Sequence, residues 1–154
     1  MKNVYLSALL LVSLVAATGT ARAQNSEVST MMQTSLNKIR TSSQTGGVIE
    51  RTFSDVLFKQ DTSGTNCIFF HHFSSSNAYR INGFAPSEEV SELTVAVYYK
   101  DNGQWRRMAA NTPSGADVSF RFTPTISGSY AIFVRGTLQT NINNSMFNVI
   151  IERD

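Results

Sequence analysis

The sequence predicts an all-β fold, an antiparallel β-sandwich preceded by a short N-terminal amphipathic helix. Three observations point there. From Val48 onward apolar residues recur at every second position. Turn signals interrupt the alternation about every ten residues, as in sandwiches. No strand–helix–strand spacing and no internal repeat interrupts that order.

The elements follow in chain order. Lys2 gives a short basic start, Val4 to Ala17 is an apolar run, and Ala21-Arg22-Ala23 offers a small-x-small cleavage site. This is the pattern of a secretory signal peptide over residues 1–23. The run is shorter than the roughly 20 residues a membrane-spanning helix needs, so no transmembrane anchor is expected. Residues 24–47 read as helix and linker. Val28, Met31, Met32, Leu36 and Ile39 fall at helical spacing, Ser26 can cap the start, and "TSSQTGG" closes the segment.

The sandwich is expected over residues 48–154. "VIERTFSDVLF" reads as a strand, a short turn and a second extended stretch, and "DTSGTN" as a turn. "CIFFHHF" (67–73) is apolar on both faces, as for a strand in a sandwich interior. A strand follows around Tyr79 to Ile81, then an acid-rich loop over 85–92. Leu93, Val95, Val97 and Tyr99 share one face, and the Asn102-Gly103 pair signals a tight hairpin returning through "QWRRMA". Val118, Phe120 and Phe122 alternate with polar residues, as do Tyr130, Ile132 and Val134. "GTLQTNINNS" reads as a long polar loop, and Phe147, Val149 and Ile151 make the last strand. Between them, Pro124, Gly128 and Tyr130 mark a sheet-to-sheet corner. The proline has no amide proton to give a ladder, the glycine supplies backbone freedom, and the tyrosine hydroxyl can bond back to upstream backbone.

The run "YRINGFAPSEEVSELTVAVYYKDNGQW…GADVSFRFTPTISGSYAIFVRG…FNVIIER" resembles the bacterial pre-peptidase C-terminal (PPC-like) domain in its stand-alone secreted form. The likeness rests on Tyr79, Ile81, Leu93, Val95, Val97, Tyr98, Gly103, Phe122, Pro124, Gly128, Tyr130, Ile132 and Val134, and covers roughly residues 48–152. It implies a jelly-roll or immunoglobulin-like sandwich in an exported protein, without catalysis of its own. Some members of that family carry aspartates before the strand that begins here at Leu93. This chain has Glu88, Glu89 and Glu92 instead and so departs from the family's calcium pattern; the three glutamates could still gather around a calcium ion, and no other cofactor is expected.

Composition narrows the function classes. The 154-residue chain holds 13 basic and 11 acidic residues. Removal of the signal peptide takes Lys2 and Arg22 and leaves the charges balanced, which argues against a nucleic-acid partner. Cys67 is the single cysteine, so no internal disulfide forms. It reads as a small apolar residue, with pairing between chains as the alternative. His71 and His72 are the two histidines, and neighbours on a strand point to opposite faces. Tyr98, Tyr99, Trp105, Arg106 and Arg107 cluster near the hairpin and can stack on sugars or anchor a peptide. The reading is a non-enzyme: a periplasmic or extracellular binding or accessory module with a protein or glycan partner. Two other classes stay open. One is a small hydrolase or metal-dependent enzyme using His71 or His72. The other is a self-associating envelope component, and the oligomeric state is not readable.

Overall fold

The computed structural model describes residues 33, 34, 36, 37, 40, 41, 46–59 and 65–154. The expected signal peptide (1–23) lies outside the described residues, as does most of the expected helix and linker (24–47). Of that segment, Gln33, Thr34, Leu36, Asn37, Arg40 and Thr41 have helical backbone. Among the described residues, no helix is long and apolar enough to cross a membrane.

Eight strands follow: β1 (Val48–Phe58), β2 (Thr65–Phe73), β3 (Tyr79–Phe84), β4 (Val90–Asp101), β5 (Gln104–Ala110), β6 (Asp117–Phe122), β7 (Gly128–Leu138) and β8 (Asn144–Arg153). They form two four-stranded sheets, in the orders β1-β8-β3-β6 and β2-β7-β4-β5. Every pairing is antiparallel. The first strand pairs with the last, the second with the seventh, the third with the sixth and the fourth with the fifth. The chain is therefore one long hairpin, folded over so that consecutive strands change sheet everywhere except between β4 and β5. Of the two sandwich types expected, this is the jelly roll.

The hairpin tip sits where the sequence places it. Asp101 faces Gln104 across a two-residue loop, and Asn102 and Gly103 have φ of 48° and 82°. Positive φ at both central positions is the type I′ turn, whose twist matches the flanking strands. At the other end of β5 the ladder is taken over by a side chain. The Val95 amide donates to Asn111 Oδ1 at 2.6 Å, and Asn111 Nδ2 donates to the Leu93 carbonyl at 3.1 Å.

Alternation places the core. Leu93, Val95 and Val97 of β4, Tyr130, Ile132 and Val134 of β7, and Phe147, Val149 and Ile151 of β8 are all fully buried between the sheets. Phe73 joins the two halves, its ring edge-on to Tyr79, Phe122 and Tyr130 at 4.7, 5.1 and 5.5 Å between centroids. The corner behaves as expected: the Tyr130 hydroxyl donates to the Ile126 carbonyl at 2.6 Å.

Several expectations are corrected. "VIERTFSDVLF" is one strand, because the Glu50 bulge between Ile49 and Arg51 absorbs the break in alternation. The acid-rich loop ends sooner and the polar loop begins later than their composition suggests. Glu92, Thr137 and Asn144 are strand residues whose backbone is held in the ladder while their side chains face out, and Ser91 is the bulge between Val90 and Glu92. "CIFFHHF" is an edge strand rather than an interior one: Ile68 and Phe70 are exposed. Gly128 does not have the left-handed backbone expected of a corner glycine. What it provides is room, since a Cβ there would sit 3.3 Å from the Tyr99 ring.

Candidate functional site

The two sheets present different exteriors. On the β1-β8-β3-β6 side, Ser54 Oγ donates to Asn148 Oδ1 and Ser119 Oγ donates to Asn82 Oδ1. Arg121 meets Asp154 at 2.9 Å, and Arg80 lies 3.9 Å from Glu152 and 3.8 Å from Asp154. These groups satisfy one another, and Phe58 and Met146 stand exposed at the far end.

The β2-β7-β4-β5 exterior is aromatic. Cross-strand register sets out its rows: Phe70, Ala131, Tyr98 and Arg107 form one, and Ile68, Phe133, Ala96 and Ala110 the next. Lys100 pairs with Trp105 beside the first row. The alanines are the floor and the rings stand around them. Ala131 is 0% exposed although it faces outward, whereas Phe70 is 60% and Trp105 43% exposed. The Phe70 and Trp105 rings lean together, 6.3 Å apart and 43° to each other, and Tyr98 packs on Phe133 at 4.7 Å. The Lys100 ammonium lies 5.8 Å from the Trp105 ring centroid, within cation–π range. Water meets these rings on a sheet whose two central strands, β7 and β4, have both backbone edges paired.

Of the five residues nominated from the sequence, the structure brings three to this face: Tyr98, Trp105 and Arg107. Tyr99 points the other way, its ring 4.8 Å from Tyr130 in the core. Arg106 stands opposite Tyr99 in the ladder and pairs with Asp101 at 3.3 Å. The cause is the period of two: adjacent residues cannot share a face. Arg107 faces outward with Trp105 by the same alternation, two residues along β5; the bulge at Met108, opposite Val97 and Tyr98, comes after it and resets the register of Ala109 and Ala110. Sequence reasoning missed Ile68, Phe70, Phe133 and Lys100. The signal for β2 was the unbroken apolar run itself, which marks a strand with both faces covered or an edge strand with one bare.

The histidines part as their adjacency requires. His72 is exposed on the outward side. His71 faces in, 4.6 Å from the Phe73 ring, with Nε2 3.2 Å from Glu50 Oε2. Glu50 Oε1 is taken by Arg153 at 3.1 Å. Both carboxylate oxygens are thus occupied, and the trio clips the edge of one sheet to the edge of the other. Burial lowers the His71 pKa, while the Glu50 bond works against that shift. Cys67 is half-buried, its Sγ 3.7 Å from the Val56 carbonyl, and burial raises its pKa, with Asp55 adding to the rise. In the acid-rich stretch, Glu88 bonds its neighbour Ser87, and Glu88 and Glu92 are exposed. Among the described residues, no three His, Cys, Asp or Glu side chains gather where a metal ion could sit.

The fold is similar to that of solved bacterial proteins. The chain is similar to a pre-peptidase C-terminal domain, that of a collagenase from Bacillus anthracis, at 12% identity and a TM-score of 0.48, over 67% of this chain and 89% of that one. A Yersinia pseudotuberculosis-derived mitogen aligns at 7% identity and a TM-score of 0.47, covering 68% and 86% of the two chains. PliG of Aeromonas hydrophila, a periplasmic inhibitor of g-type lysozyme, aligns at 10% identity and a TM-score of 0.45, covering 68% and 85%. No family model and no curated protein matches the sequence. These likenesses concern the arrangement of strands and carry no function across.

Proposed function

We propose that this protein is a non-catalytic binding or accessory module, exported to the periplasm or beyond. In this reading it presents the outer face of the β2-β7-β4-β5 sheet to a protein or glycan partner. One observation carries the reading. Phe70 and Trp105 stand exposed over a buried alanine floor on one sheet, while the other sheet's exterior is largely self-satisfied. An exposed apolar cluster on rigid backbone costs free energy in water and is the usual mark of a contact surface. Export rests on the basic start, the apolar run and the Ala-x-Ala site at the N-terminus. The near-balanced charge after cleavage favours neither nucleic acid nor an anionic membrane. An enzyme built on the histidines has less support, since Glu50 is shared between His71 and Arg153 and His72 faces away.

The test compares the wild-type chain with a Phe70→Ser/Trp105→Ala variant on arrays of soluble glycans and on isolated envelope polysaccharide and protein fractions. Binding by the wild type that the variant loses, with an unchanged circular dichroism spectrum, supports the reading. Binding that survives in the variant places the contact elsewhere and overturns it.

A further inference from the structure

The charges around the aromatic face identify its partner more narrowly. Lys100, Arg107 and Arg135 are all exposed on it. Arg107 shares a ladder row with Phe70, Ala131 and Tyr98, and Lys100 pairs with Trp105. Arg135 lies in register with Thr94, two residues past Phe133 on the same face of β7. Among the described residues, no carboxylate lies within ion-pair distance of any of the three. The acid nearest the first two, Asp101, is committed to Arg106. On the other sheet's exterior, Arg80 and Arg121 have carboxylate partners. Cations thus flank the rings at both ends, and among the described residues none of the three has a carboxylate partner. From Ala131 to Arg135 is four residues, about 13 Å of strand, so the face has the length of a short oligomer rather than of a single small molecule.

We propose that the face binds an acidic polysaccharide, its sugar rings stacked on Phe70, Trp105 and Tyr98 and its anionic substituents held by Lys100, Arg107 and Arg135. The proposal rests on the binding-module reading above and deepens it. A pyranose offers an apolar C–H face that packs on an aromatic ring. When it bears a carboxylate or a sulfate, the anion stands within one sugar of that face, which matches rings and cations set side by side. Guanidinium recognises such planar or tetrahedral anions through paired N–H donors. A peptide that pairs as a strand can reach only the outer edges of β2 and β5, because β7 and β4 have both backbone edges paired, and so would not lie across the face. A folded protein would need about 800 Å² of complementary surface, with its charges at the rim and not beside the central rings.

The experiment uses the full chain in affinity electrophoresis and calorimetry against matched probes. These are polygalacturonate and its fully methyl-esterified form, dextran sulfate and dextran, and polyglutamate as an anion without sugar. Binding to polygalacturonate or to dextran sulfate, at least tenfold tighter than to the uncharged counterpart, is expected. The two arms tell a carboxylate from a sulfate. Arg107→Gln and Lys100→Gln should each weaken the charged probe about tenfold and the neutral one far less, so that the preference for charge shrinks. Trp105→Ala should lose both. Equal binding of charged and neutral glycans, lost in Trp105→Ala, overturns the anionic inference and leaves the binding module standing. Binding of polyglutamate as tight as that of the glycans, unaffected by Trp105→Ala, reduces the face to a simple cationic patch and overturns the proposal. Retention of no polysaccharide, with an envelope protein captured through the same residues, overturns it in favour of a protein partner. Retention of nothing at all overturns both readings.

Discussion

The Tyr130 hydroxyl reaches back four residues to the Ile126 carbonyl and is buried while doing so. Burial raises its pKa, so it stays a neutral donor across the physiological range. Tyr130→Phe removes that donor and keeps the ring. We expect a loss of about 1 kcal/mol, read as a lower urea midpoint with an unchanged slope. Gly136 is a second residue whose identity is set by a single contact. A Cβ there would collide with Leu57 Cδ1 and stand 3.6 Å from Val90 Cγ1. The glycine lets a residue of β1, in the facing sheet, lie directly on β7. Gly136→Ala should cost about 1–3 kcal/mol through overpacking, and Leu57→Ala about 2–5 kcal/mol through a cavity. In the double variant the two changes offset each other, so its measured loss should fall below the sum of the single losses. Additive losses would mean the two sites do not touch.

Among the elements, the edge strands β1 and β2 are held by chemistry as well as by packing. Phe53 stacks on Phe69 at 4.6 Å, and next to that pair His71 bonds Glu50, which in turn holds Arg153. The groups acting on His71 are Glu50, Arg51 and His72, with Arg153 across the carboxylate. Burial is the largest influence and lowers the folded-state pKa. A histidine of lowered pKa leaves the unfolded chain binding more protons at mildly acidic pH, so stability falls as pH drops through the unfolded value, near 6.5, toward the folded one. Unfolding midpoints measured from pH 8 to pH 5 should decline over that window, and His71→Gln should flatten the decline. A His71→Gln variant with the same pH slope as wild type would show that the clip does not titrate. The β4–β5 hairpin is the other element with a local cause, and Asn102-Gly103 sets its register without help from the rest of the fold.

For the whole molecule, the decisive feature is the asymmetry between the exteriors of two sheets that share one core. Core and corner residues carry stability, and the aromatic residues outside β2 and β5 do not. We therefore expect Phe70→Ser and Trp105→Ala each to shift stability by no more than about 0.5 kcal/mol while removing the binding proposed above. Losses of several kcal/mol would make those rings structural cover and sink their assignment to a partner. Seven of the eight strands find a partner far away in the sequence, and only β4–β5 closes locally at both of its strands' shared end. Such non-local pairing predicts folding in milliseconds to seconds, a rate that stopped-flow refolding would measure.

What the sequence determined by itself was whatever repeats within a few residues of itself. Alternation from Leu93 to Tyr99 and from Tyr130 to Val134 set the inward faces, Asn102-Gly103 set the turn, and the spacing from Pro124 to Tyr130 set the corner. Each is a local preference of backbone or side chain, so one sequence suffices to read it. The site was legible only in part. Tyr98, Trp105 and Arg107 stand together as their neighbourhood suggested, but Tyr99 and Arg106 belong to the other face, and Phe70 and Phe133 arrive from strands far along the chain. Which sheet a strand joins and whether it ends up central or at an edge depend on pairings between distant segments. Only the tertiary structure decided these, because hydrogen bonds across a sheet are satisfied by whichever strand the closed fold places alongside.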